Sequence, residues 1–111
     1  MAIAIEELSE GITKVILDGK LDIEGAAAVD LKMNVIAGSC RTVLIDLQNV
    51  TFLGSMGLRM LLGPARTIKS RGGKIVLFGP SEAVDKALKT AGIEAFIPIY
   101  YELHAALTAL Q

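Results

Sequence analysis

The 111 residues are 52% hydrophobic and 21% charged, enough apolar chain to bury one core and too much for a disordered segment. Eleven basic against twelve acidic side chains leave a net charge of −1, which gives no overall pull toward nucleic acid or anionic lipid. The single cysteine, Cys40, excludes an internal disulfide, and no apolar run approaches the roughly 20 residues of a membrane helix.

Ala2 to Leu8 alternates weakly, as an edge strand does, and Ser9-Glu10-Gly11 reads as a turn. Ile12 to Asp18 is a second strand, so the two predict a hairpin. Gly19-Lys20-Leu21-Asp22 then turns the chain out of the sheet. Ala26, Val29, Met33 and Ile36 fall on one helical stripe, with Asp30, Lys32 and Asn34 off it, and Gly38 is the stop signal. Thr42 to Leu47 is short, apolar and strand-like. An exit turn carrying Ser55 follows, and then a helix with Leu58, Leu61, Leu62, Ala65 and Ile68 at helical spacing.

That helix ends near Arg71-Gly72-Gly73, and Pro64 inside it removes one backbone donor, which predicts a kink or local loosening near Met60 to Pro64. Lys74 to Phe78 is the next strand. Gly79-Pro80-Ser81 signals a helix entry with Ser81 as cap, and Val84, Ala87, Leu88 and Ala91 form the stripe behind it. Phe96 to Ile99 carries Pro98 and so suits a sheet edge. Leu103, Ala106, Leu107 and Leu110 make the last helix.

Strands alternating with helices after residue 20 imply crossover connections and parallel pairing. Residues 1–111 are therefore read as one compact α/β domain, a mixed sheet with an N-terminal hairpin and about four helices. Met1 to Leu8 is interrupted by Glu6 and Glu7 and has no basic leader, and one unpaired cysteine suits a reducing compartment, so a cytoplasmic protein is expected.

Four segments, in order, resemble the STAS family of sulfate transporter and anti-sigma factor antagonist domains. They are Leu17-Asp18-Gly19-Lys20-Leu21-Asp22, the run Val43 to Phe52 with its Asp46-Leu47, the loop Leu53-Gly54-Ser55-Met56-Gly57-Leu58, and Arg71-Gly72-Gly73-Lys74-Ile75-Val76-Leu77. The match is closest to stand-alone bacterial anti-anti-sigma factors. In that family the loop serine is phosphorylated by an anti-sigma factor that is also a serine kinase. The unphosphorylated protein binds the anti-sigma factor and frees the sigma factor for transcription, and a phosphatase resets the switch. By position Ser55 corresponds to the phosphoacceptor. The family's aspartate before the serine is Gly54 here, and a small polar residue after it is Met56.

Ser55 at a helix start can cap the helix, hold a phosphate, or do both. On the following helix, Met56, Met60, Gly63 and Thr67 lie opposite the leucine stripe, flanked by Arg59 and Arg66. Methionine repacks readily against a partner, so this face is expected to be an apolar docking patch beside Ser55 unless another element covers it. The expected partner surface thus comprises Gly54, Ser55, Met56 and Gly57 of the loop, Arg59, Met60 and Gly63 of the helix, and Asp22, which the resemblance places at the same end. Asp22 and Asp18 have a plainer use as turn and helix-entry residues. Asp46 is a candidate brace for the Ser55 loop, and His104 is expected on a solvated helix face.

No catalytic residue, cofactor or metal is expected. The turn lacks the first glycine of a nucleophile elbow, having Leu53 there, and His104 is the sole histidine for a triad. No His, Cys or carboxylate cluster has metal-site spacing. The competing reading is a STAS module that is never phosphorylated and docks on a transporter or signalling assembly. Self-association is not legible at this level.

Overall fold

Ile3 and Ile5 alternate with alanines on one strand, and Val15 and Leu17 share one face of the next, with Lys14, Ile16 and Asp18 on the other. Their apolar faces coincide in an antiparallel hairpin. In the computed structural model, which describes residues 1–111, these strands are β1 (Ala2–Glu7) and β2 (Thr13–Leu21), paired Ile3 to Leu17 and Ile5 to Val15. Then follow α1 (Ile23–Ser39), β3 (Thr42–Leu53), α2 (Ser55–Ser70), β4 (Lys74–Phe78), α3 (Glu82–Thr90), β5 (Ile99–Tyr100) and α4 (Leu103–Leu110). The five strands lie in the order β1-β2-β3-β4-β5, with every pair after the hairpin parallel. Right-handed crossovers that all step the same way put α1, α2 and α3 on one face.

The two faces bury different sets. Val15, Leu17, Val43, Ile45, Leu47, Ile75 and Leu77 pack against α1, α2 and α3, while Leu44, Val76 and Phe78, one residue out of phase, pack against Ala106 and Leu110 of α4. The central strands therefore read as continuous apolar runs because both faces are covered.

Several elements differ from expectation. β2 does not turn out of the sheet at Gly19. It continues to Leu21 through register shifts on either side of Asp18-Gly19, with Gly19 in a φ of +117° open to glycine. β3 likewise runs past Leu47 to Leu53, because β2 offers it hydrogen-bonding partners over that whole length. Helix α1 passes through Gly38 and ends at Ser39, with Cys40 as its C-cap. Helix α2 is unbroken across Pro64, which is buried. The residues Phe96 to Pro98 are not strand, and β5 is only Ile99–Tyr100, at the far edge of the sheet.

Candidate functional site

The C-terminal ends of β2 and β3 stop side by side, and the two helices that follow them start there. The Gly54 N–H donates to the Leu21 carbonyl at 3.0 Å, tying the entry of α2 to the residue before Asp22. Asp22 is the N-cap of α1, its carboxylate accepting from the Gly25 N–H at 2.8 Å. Gly25 itself admits no side chain, since a Cβ would sit 1.9 Å from the Lys20 carbonyl oxygen. The Asp22 turn and the Ser55 loop thus share one end of the molecule, and the capping use of Asp22 is visible in its hydrogen bond.

Ser55 does not cap α2. The N-cap is Gly54, at φ −103° and ψ −176°, and no side chain bonds the free N–H groups of the first turn. Ser55 is instead the first helical residue and is exposed. No acidic residue lies in that turn either. The helix start is therefore an uncompensated positive end, with free N–H donors and a dipole favouring an anion. Arg59, exposed one turn further on, adds a cation on the neighbouring position.

Helix α2 is rotated from the expected orientation. Its buried residues are Gly57, Met60, Leu61, Pro64, Ala65 and Ile68, while Leu58 and Leu62 are only half-buried at the core's rim. At 3.6 residues per turn this is a turn of about 65° about the helix axis. Two contacts set it. Gly57 faces the end of β2 so closely that a Cβ there would lie 2.7 Å from the Leu21 carbonyl oxygen and 2.8 Å from the Leu53 Cδ1. Helix α1 also packs alongside α2 and needs an apolar partner. Met60, expected on the solvent face, is 4% exposed and belongs to the core. Gly57 is buried as well, so its part is to admit close packing rather than to touch a partner. Met56, at 39% exposure, with Arg59 and Gly63, stays outward.

What remains beside Ser55 is an open groove of about 270 Å³ between the two helices. Ile23, Ala26, Ala27 and Asp30 line it from α1, and Met56, Arg59 and Met60 from α2. Asp30 and Arg59 put opposite charges on its two walls. Sequence reasoning missed Ile23 and Asp30, and also Phe52, whose half-exposed ring edge would lie 3.2 Å from a Cβ at Gly54. A signal was present: Ile23 follows a helix cap directly, where solvent contact is the rule, yet is fully apolar.

Asp46 does not brace the loop. It is buried, accepts from the Gln48 N–H at 2.9 Å and pairs with Lys14 at 3.7 Å. His104 is exposed on α4, across the sheet from α2, so the chain's one imidazole does not share a face with Ser55. The perturbed titrations also lie elsewhere. Tyr101 donates to Asp85 at 2.7 Å, which raises its phenol above the ordinary range.

Known proteins share this fold. The STAS domain family model matches residues 4–106. An anti-sigma F factor antagonist of Paenibacillus polymyxa is 30% identical over 107 residues, covering 95% of this chain and 92% of that protein. The crystal structure of an anti-sigma factor antagonist from Mycobacterium paratuberculosis superposes with a TM-score of 0.87 at 28% identity, covering 98% of this chain and 92% of that one. The antagonist SpoIIAA has the same fold in its unphosphorylated form, TM-score 0.77 at 22% identity over 94% of this chain and 92% of that one. Its phosphorylated form from Bacillus gives 0.74 at 20% identity over 99% of this chain and all of that one. No helix here is long and apolar enough to cross a membrane.

Proposed function

Because the chain belongs to the STAS domain family, we propose that it is an anti-sigma factor antagonist, a binding switch rather than an enzyme, turned off by phosphorylation of Ser55. The observation that carries this reading is the exposed Ser55 at an uncapped helix start, beside an apolar groove. In the unphosphorylated state an anti-sigma factor kinase docks across Met56, Arg59 and the α1–α2 groove, and the sigma factor is released to direct transcription. Asp22, at the same end, contributes through its turn, and a phosphatase restores the docking form.

Phosphate adds up to two negative charges and three acceptor oxygens. At this position the first-turn N–H groups and Arg59 can receive them, so the fold is expected to survive. The missing carboxylate at Gly54 assists, since nothing acidic in the first turn repels the incoming group. The effect falls on the partner: a dianion at the groove's rim adds bulk and charge where the partner docks, and stripping water from it on docking is costly.

The test is incubation with the cognate anti-sigma factor kinase and ATP, followed by mass measurement and affinity measurement of Ser55→Asp and Ser55→Ala. One phosphate on Ser55, weak binding by Ser55→Asp and retained binding by Ser55→Ala are expected. Unchanged affinity of Ser55→Asp would refute the switch. Binding without any phosphate on Ser55 would favour the module that docks unmodified.

A further inference from the structure

Helix α1 carries more apolar surface than the core takes up. Its inner face buries Ala26, Val29, Met33, Ile36 and Ala37. On its outer side Ile23, Ala27, Leu31 and Val35 recur every four residues, and Leu31 and Val35 are 76% and 61% exposed. A solvent-facing ridge is normally polar, and large apolar residues at such exposure along one ridge mark an interface.

Beside the Leu31–Val35 end of this ridge lies β1, an edge strand with one row of backbone donors and acceptors unpaired. Ile3 and Ile5 of β1 join Leu31, Lys32, Val35 and Ile36 in an open groove of about 470 Å³. The edge is poorly defended. Residues 2–5 read Ala-Ile-Ala-Ile, with no proline, bulge or charge, and the two glutamates sit together at the far end.

We propose that β1 pairs antiparallel with β1 of a second copy of this chain, closing the two grooves on each other. Self-complementarity argues for this occupant. A two-fold axis beside Ala4 sets Ile3 against Ile5 of the other copy in both directions, on the face that carries α1. The same register sends Glu6 and Glu7 to opposite ends of the seam, whereas parallel pairing would set like charges together.

Charge complementarity supports it further. Helix α1 starts where β2 ends, next to Met1, and runs parallel to β1, so Lys32 stands near Ile3. In this register Glu7 of the second copy lies opposite Met1, two residues along the strand from Ile3 and on the same face, so its carboxylate approaches the positive side of the seam that Lys32 supplies. Its carboxylate already accepts from Thr13 in its own chain and has lone pairs to spare.

The area requirement brings in α1. A stable interface takes about 800 Å² from each partner, roughly one-seventh of this chain's 5825 Å². A six-residue strand, about 20 Å long, is too narrow to supply that alone, so the Leu31–Val35 ridge must share the contact. Ser55 follows β3, two strands in from this edge, and stays open in the dimer.

Sedimentation and light scattering of the full chain from micromolar to millimolar concentration test this. The wild type is expected to reach twice its 11.7 kDa mass. Leu31→Glu and Ile5→Lys replace exposed residues, so both should remain folded by circular dichroism. Each should weaken association roughly a hundred-fold, because each substitution enters the dimer twice. Phe96→Glu, an exposed apolar residue near the β5 edge, should leave association unchanged. Hydrogen exchange should show β1 amides gaining protection as concentration rises. A wild type that stays monomeric, a dimer indifferent to both variants, one equally broken by Phe96→Glu, or β1 amides that gain no protection would each overturn the proposal.

Discussion

Gly57→Ala should destabilise the protein although it replaces a glycine inside a helix with the best helix former. Propensity alone predicts a gain of up to about 1 kcal/mol. The added methyl would meet the Leu21 carbonyl oxygen at 2.7 Å and the Leu21 Cβ and Leu53 Cδ1 at 2.8 Å. The first two do not yield cheaply, because one is backbone and the other is the root of a fully buried side chain, whereas Leu53 Cδ1, at the end of a flexible side chain, can shift. Relieving an overpacked contact costs typically 1–3 kcal/mol and sometimes more. The clash should exceed the propensity gain, leaving a net loss of about 1–2 kcal/mol. Gly38→Ala is the internal control. A Cβ at Gly38 meets nothing within 4 Å, so the same change there should stabilise by about 0.5 kcal/mol or somewhat more. Urea denaturation followed by far-ultraviolet circular dichroism reads both, with equal slopes showing that only stability moved. A gain for Gly57→Ala would refute the packing argument, and with it the reason Ser55 is held where it is. Because Gly57 sets how closely α2 approaches β2, the same variant should also weaken partner binding.

The rotation of α2 makes a second prediction: Met60→Ala should cost about 2–4 kcal/mol in urea melts, while Met56→Ala costs under about 0.5 kcal/mol; equal costs would refute the burial of Met60 alone, and a reversed order would mean that the helix faces the other way. A third concerns alkaline pH. Tyr101 donates to Asp85, which raises its folded pKa above the ordinary value near 10. The stability from this bond is present below that value and is lost as pH rises through the higher folded one. Absorbance titration in a Tyr100→Phe background should show Tyr101 ionising late, and Asp85→Ala should bring it down; no change on removing Asp85 would discount the bond.

Local chemistry made most elements legible. Asp22 and Ser81 cap their helices through side-chain oxygens, as their residue types suggest. The weak alternation of β1, the turn at Ser9 to Gly11 and the apolar run of β2 gave the hairpin, and the motifs from Leu17 to Leu77, the Ser55 loop among them, led to the family. Misreadings arose where two elements meet. Ser55 reads as a cap by residue type, yet Gly54 takes the extended conformation and the N-cap place because its N–H is fixed to β2. β2 and β3 outrun their apolar stretches because each completes the other's hydrogen bonds, a gain that neither segment shows alone.

The amino-acid order by itself determined the parallel α/β plan, the order of helices and strands, and a serine at the head of α2, since all of these follow from periodicity and turn chemistry within about ten residues. Only the tertiary structure decided which side of α2 faces inward, the burial of Met60 under α1, and the apolar outer ridge of Leu31 and Val35. The physical reason is that a helix with apolar residues on more than one side has no preferred face until its neighbours are placed. Packing density and backbone clearance, as at Gly57 against Leu21, then select one.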